Sequence, residues 1–264
     1  MVGIFKHSSL ATPCFKGLLR YFFAYLSIIS FAKIQAQSTA SKQITKFTIA
    51  APQLDTTKTI WLYLPKDYKN SKKAYPIIYM HDAQNLFDTA AAFAGEWRID
   101  EYLDSLANSK SIIIGIEHGN EKRIDELTPY ENKKYGGGNG DNYLKFIKNT
   151  LKPYVDTTYR TQLDTETTAI FGSSLGGLIS FYAMLKYPET FGRAGIFSPA
   201  FWINPEIYQI ATNTTLPKSS KFYFLAGRYE SETMVANIER MVDLLKQKGV
   251  PTTNIVVEIV EDGQ

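Results

Sequence analysis

The sequence predicts an α/β protein whose mostly parallel sheet carries helices on both faces. Three observations predict it. Short apolar runs alternate with stretches of helical periodicity along most of the chain. Several runs, such as Ile112-Ile113-Ile114-Gly115-Ile116 and Phe222-Tyr223-Phe224-Leu225, are apolar nearly throughout, as strands buried on both faces should be. The first two runs instead alternate apolar and polar residues and lie close in sequence, which predicts an antiparallel pair at one edge. With 264 residues, 44% of them apolar, the chain can bury one sizeable core and is too rich in apolar residues to be disordered.

The elements follow in order. Strands are predicted at residues 42–49, 57–64, 75–81, 111–117, 167–172, 193–197, 221–226 and 254–260. Helices are predicted at 96–107 (apolar Trp97, Ile99, Leu103, Leu106), 141–154 (Tyr143, Leu144, Ile147, Leu151, Tyr154), 175–186 and 232–248 (Met234, Val235, Ile238, Met241, Val242, Leu245). No internal repeat and no long linker interrupts them. The glycine-rich stretch from Tyr135 to Asp141 follows no strand and lacks the Lys-Ser/Thr pair of a phosphate-binding loop, so it reads as a loop entering a helix.

Residues 1–36 differ from the rest. They hold Lys6, Lys16, Arg20 and Lys33, no acid, and an apolar run from Tyr21 to Ala32 followed by the small residue Ala36. This is the pattern of a signal peptide, and it predicts export to periplasm or medium; an uncleaved anchor is the alternative. The apolar run falls short of the roughly 20 residues that span a bilayer, so no stable membrane insertion is expected after cleavage. The formal net charge of +3 belongs to this leader, and the remainder is close to neutral, with no electrostatic footprint for nucleic acid. The one cysteine, Cys14, also lies there, which leaves residues 37–264 without disulfide, thiolate metal site or cysteine nucleophile.

Chemistry enters at Gly172-Ser173-Ser174-Leu175-Gly176, a G-x-S-x-G pattern between a strand and a helix. A sharp turn at that junction exposes the central hydroxyl, and the helix N-terminus brings free N–H groups to developing negative charge. Ser174 is the predicted nucleophile. A serine needs a base, and on this strand–turn–helix plan its partners follow in the order Ser, Asp/Glu, His. The acid is expected after the strand at 221–226, where Glu230 is the first choice and Glu232 the second. The histidine is expected after the last strand, where the sequence reads Glu261-Asp262-Gly263-Gln264; His7, His81 and His118 all precede Ser174. The expectation is therefore a base beyond Gln264, with the closing helix of the sheet also missing and apolar sheet surface left open to aggregation.

These residues resemble a family. Met80-His81-Asp82-Ala83-Gln84-Asn85-Leu86-Phe87-Asp88 is similar to the HDGQNLFD segment of the esterase family of α/β-hydrolases with esterase D-like, feruloyl-esterase-like and enterochelin-esterase-like members. Gly172–Gly177 resembles its GSSLGG elbow, Phe197–Trp202 its SPSFW segment, and Gly115–Gly119 with Arg123 and Pro129 a recurrent loop. The resemblance spans roughly residues 42–264. It implies an eight-stranded α/β-hydrolase fold, hydrolysis of carboxylic or thio-esters through an acyl-enzyme on Ser174, and an oxyanion hole from the N–H groups of Leu175 and of Ala83 or its neighbour Gln84. Ala83 stands where the family often has glycine.

Phe201 and Trp202 follow the sixth strand on the side where open α/β sheets bind ligands, and are candidates to line a substrate pocket or to pack in the core. Glu117, Glu121, Asp125 and Glu126, with Lys122 and Arg123, read as a loop with internal ion pairs rather than a cation site. No metal or cofactor motif is recognisable, and ester hydrolysis on serine needs neither. The predicted partner is a small-molecule or carbohydrate ester. Two other readings stay open: a catalytically silent module that binds a glycan or siderophore-like ligand, and an acyltransferase.

Overall fold

The computed structural model describes residues 37–107 and 111–261, so the expected leader lies outside the described residues. Eight strands form one sheet: β1 (Ile44–Ala51), β2 (Thr56–Tyr63), β3 (Ile77–His81), β4 (Ile112–Ile116), β5 (Thr168–Ser173), β6 (Arg193–Phe197), β7 (Lys221–Gly227) and β8 (Ile255–Val260). Their order is β1-β2-β4-β3-β5-β6-β7-β8. β1 and β2 pair antiparallel at the edge, in register from Ile44 against Tyr63 to Ala51 against Thr56, and β2 runs antiparallel to β4. All remaining neighbours are parallel. The expected third strand loses its first residues because Pro76 has no N–H to give to a ladder; Tyr75 keeps only an isolated bridge to Thr161.

Seven helices connect the described strands: α1 (Ile99–Ser105), α2 (Arg123–Leu127), α3 (Gly140–Phe146), α4 (Lys152–Thr158), α5 (Leu175–Lys186), α6 (Glu206–Asn213) and α7 (Met234–Gln247). The helix expected at 96–107 starts only at Ile99, because Gly95 (φ 87°) and Arg98 (φ 56°) adopt left-handed backbone. Glu96 and Trp97 thus belong to a loop. The helix expected at 141–154 is two, α3 and α4, joined by a π-helical turn at Ile147–Leu151. Pro153 explains the widening, since its ring cannot sit over the carbonyl four residues back. α6 was not expected, although Ile207, Tyr208 and Ala211 place a buried stripe behind Pro205.

The sheet's two faces are covered unequally. On one, Ile60, Tyr79, Ile114, Ile170, Ile196 and Phe224 pack with side chains of α3 to α7 into the main core. On the other, Trp61, Tyr63, Met80, Ile113 and Phe87 form a smaller core closed by Ile99 and Leu103 of α1. Gly115 in β4 allows this second core to close: a Cβ there would meet the Ala83 Cβ at 3.0 Å and the Phe87 ring at 3.1 Å. The turn after β3 can therefore lie on the sheet.

Connectivity also locates the site. The chain steps from β3 outward to β4 and then returns past β3 to β5, so β3 and β5 flank the point where the winding reverses. Ligands of open α/β sheets bind outside the carboxyl ends of the strands at such a point.

Candidate active site

Ser174 sits at that switch point, between the last residue of β5 and the first of α5, and is exposed. Its backbone is held at φ 58°, ψ −116°, a conformation that L-residues avoid at a cost of about 1–3 kcal/mol. Four hydrogen bonds or contacts hold it there. The Ser174 N–H donates to the Phe197 carbonyl (2.9 Å), and the Ser174 carbonyl accepts from Leu178 (3.1 Å) and Ala200 (3.0 Å). Beneath it, Gly172 and Gly176 touch backbone to backbone; a Cβ on Gly172 would stand 2.7 Å from the Gly176 carbonyl carbon. The G-x-S-x-G spacing is thus a steric requirement of the turn.

The facing wall comes from the end of β3. Asp82 takes left-handed backbone (φ 57°) and opens a single 3-10 turn at Ala83–Asn85. Among the described residues, neither the Leu175 N–H nor the N–H groups of Ala83 and Gln84 have an acceptor. They are the donors expected of an oxyanion hole. Gly176 packs against this wall, its Cβ position lying 3.3 Å from the His81 Cβ and 3.6 Å from Asp82 Oδ2. The Arg123 guanidinium fixes Asp82 by two bonds, Nε to Oδ1 (2.7 Å) and Nη2 to Oδ2 (2.8 Å). The Gln84 side chain clamps the next loop: its Nε2 donates to the His118 carbonyl (3.4 Å) and its Oε1 accepts from the His118 N–H (3.3 Å).

Glu230 lies past the end of β7, exposed, with its Oε1 accepting from Ser198 Oγ (2.8 Å) and from the Gly227 N–H (2.6 Å). Ser198 itself sits at φ 43° directly after β6. Two donors therefore orient this carboxylate, whereas Glu232 is exposed and, among the described residues, has no bonded partner. The Arg228 N–H donates to the Val260 carbonyl (3.0 Å), so the end of β8 is paired to the residue that follows β7. His81 stands under the elbow but is committed elsewhere. Its Nδ1 shares a 2.7 Å hydrogen bond with the Tyr143 hydroxyl, and burial pushes its pKa down to about 4. It is neutral at physiological pH. His118 is also shifted down by burial; its Nδ1 accepts from the Asn120 N–H (2.9 Å), and its ring meets Phe93 edge to face.

A cleft of about 340 Å³ opens above Ser174, lined by His81, Asp82, Asn85, Leu86, Phe93, Ala94, Trp97, Arg123 and Ser173. This corrects the expected aromatic lining. Phe201 is fully buried, packed between Phe181 and Tyr208, and belongs to the core. Trp202 is exposed and meets Tyr135 of the glycine-rich loop edge to face, outside the residues that line the cleft. The aromatic wall is instead Phe93 and Trp97. Periodicity hid Trp97 by assigning it to a helix; Gly95 after a run of alanines was the signal that the helix starts later.

Two of the four carboxylates at 117–126, Glu117 and Glu126, are used internally, though not with the partners expected. Glu126 is buried and accepts from Lys58 Nζ at 2.8 and 2.9 Å and from the Gly119 N–H, while Glu117 accepts from Trp61 Nε1 (2.6 Å). Arg123 serves Asp82 instead.

A strained serine between β5 and α5, at the reversal point of a mostly parallel eight-stranded sheet, defines an α/β-hydrolase-like fold. The model of the family described as Putative esterase matches residues 51–250, and the chain belongs to that family. It is an ester hydrolase. Among its relatives, the uncharacterized protein YbbA of Bacillus subtilis is 28% identical over 75% of this chain and 82% of its own length. The siderophore triacetylfusarinine C esterase of Aspergillus fumigatus is 28% identical over 53% of this chain, which spans about half (49%) of that relative. The siderophore hydrolase EstA of Aspergillus nidulans superposes with a TM-score of 0.67 at 21% identity, covering 84% of this chain and 88% of its own.

Proposed function

We propose that the protein is an exported serine esterase that cleaves small-molecule esters through an acyl-enzyme on Ser174. The observation that carries this reading is the strained, exposed serine facing unpaired N–H groups across the β3–β5 switch point. Ser174 Oγ attacks the ester carbonyl as its proton passes to a histidine. The oxyanion then accepts from the Leu175 and Ala83 N–H groups, with Gln84 the alternative donor on the second side. Collapse expels the alcohol, which takes the proton, and water releases the acid by the same route. Glu230, held by Ser198 Oγ and the Gly227 N–H, is the acid that orients that histidine.

The cleft suggests the substrate. Phe93 and Trp97 offer flat apolar faces to an aromatic acyl group, and Arg123, already paired, adds no net charge to attract a free acid. Siderophore esterases among the relatives favour an ester of that kind over a carbohydrate ester. The test is hydrolysis of p-nitrophenyl acetate and an aromatic-acyl ester by the full-length protein. Ser174→Ala should lower kcat by on the order of 10³-fold or more, and Glu230→Gln by a smaller but large factor. A Ser174→Ala enzyme as fast as wild type would refute the mechanism.

A further inference from the structure

Residues 38–41 form no helix or strand, yet they are bonded to the outer side of the loop that supplies the cleft's aromatic wall. Ser38 Oγ donates to Asp88 Oδ2 (2.8 Å) and the Thr39 N–H to Asp88 Oδ1 (3.2 Å), at the loop's start. Thr39 Oγ1 accepts from the Thr89 N–H (2.8 Å) and donates to Glu96 Oε1 (2.9 Å), at the loop's end. The Ser41 N–H donates to Asp100 Oδ2 (2.7 Å) in α1. One hydroxyl, that of Thr39, thus joins both ends of the 89–96 segment.

Within that segment Thr89 Oγ1 also donates to Glu96 Oε2 (2.5 Å), and the Phe93 and Trp97 rings rest against His118 and Phe197. Phe93, Ala94 and Trp97 are exposed, and Gly95 and Arg98 take left-handed backbone. Its inner side is held by Asn85, whose Oδ1 accepts from the Phe93 N–H (3.0 Å) and whose carbonyl accepts from the Trp97 N–H (2.7 Å). Inner bonds fix the loop to the oxyanion turn; outer bonds set how far its aromatic side chains lean over the cleft.

We propose that Thr39 is a positioning residue for substrate recognition: it pins the Phe93–Trp97 wall from outside and so sets the enzyme's affinity for its ester. Its kinetic consequence rests on the esterase reading of the Ser174 cleft; the restraint itself does not. Thr39→Val keeps the branched shape and removes the hydroxyl. One exposed hydrogen-bonding group of this kind corresponds to roughly a 2- to 10-fold effect. KM for an aromatic-acyl ester should rise about that much while kcat stays within about 2-fold, the pattern of lost binding that is uniform along the reaction. Independently, trypsin should cut after the exposed Arg98 several times faster, because the loop opens more often. Thr39→Ser should restore both readouts. Wild-type KM in Thr39→Val, with or without faster cleavage, would overturn the proposal, as would a fall in kcat equal to the rise in KM. Faster cleavage after Arg98 in a protein that hydrolyses no ester at all would uphold the restraint and refute the esterase reading.

Discussion

Asp82 carries two duties in one residue. Its left-handed backbone opens the turn that carries the unbonded Ala83 and Gln84 N–H groups, and its nearly buried carboxylate needs a cation there. Arg123 is that cation, 24% exposed and bonded through two parallel hydrogen bonds. Arg123→Leu should therefore do two things. It strands a desolvated carboxylate, at a cost of about 3 kcal/mol in urea unfolding. It also frees the turn after β3, and if that turn supplies the proposed oxyanion donors, kcat should fall by roughly 10- to 100-fold with little change in KM. Arg123→Lys keeps the charge but loses the fork, so it should fall between the two. An Arg123→Leu enzyme with normal kcat would show that the turn holds its shape unaided. Ser174 and Arg123 also differ in how they could be read. The serine's strain is encoded within five consecutive residues, so its motif was legible. The Asp82–Arg123 pair spans 41 residues and depends on where two loops meet, and no local pattern reports that. Phe201 and Trp202 show the same limit: adjacent residues on a 3-10 turn, one in the core and one in solvent.

Asp100 shows how an element's start can be set by one side chain. It is fully buried in the first turn of α1, with a Glu96 and a Glu101 oxygen within 4.8 Å of one of its own. Burial, with the neighbouring Glu101, pushes its pKa up to about 6 from the ordinary 3.8. The sign follows from the folded state binding the proton more tightly than the unfolded chain. The stabilisation that protonated Asp100 provides is full below about pH 4 and is lost as pH rises through about 6. Asp100→Asn keeps an acceptor for the Ser41 N–H and removes the charge. Its melting temperature should exceed that of wild type at pH 8 and match it near pH 4; equal temperatures at both would mean that the carboxylate is relieved at neutral pH by another route. His81 has the opposite sign, since its depressed pKa means that stability is lost as pH falls from about 6.5 through about 4. Strand boundaries were legible to within about two residues because apolar runs report burial on both faces. Helix starts were less so. At α1 the left-handed Arg98 and the buried acid override the periodicity that placed Trp97 in the helix.

Among the described residues, the sheet is sealed on one face and partly open on the other. Over β2 to β4 the second face is closed by α1 and the turn after β3, but Phe197, Tyr223 and Leu225 of β6 and β7 are only partly buried. Tyr223 is in register with Val256 of β8, which is 50% exposed, and β8 is the last strand of the sheet. An edge strand with apolar side chains beside a half-open aromatic row is a template for association. The apolar runs were visible in the sequence, but which end of the sheet stays open depends on the strand order. The expected behaviour is a sedimentation coefficient or scattering mass that rises with concentration. Val256→Lys places a charge on that face, next to Glu258 two residues on, and should hold the protein at monomer mass while leaving its circular dichroism unchanged. Val256 is half exposed, and the Tyr223 hydroxyl bond to Glu258 Oε2 (2.5 Å) does not involve it, so the substitution removes little that the fold depends on. Concentration-dependent mass that persists in Val256→Lys would move the association to another surface. A variant that stays monomeric with ester hydrolysis intact would establish the open face of β6 to β8 as separate from the chemistry, even though Phe197 touches Trp97 of the cleft wall on one side and Tyr223 on the other.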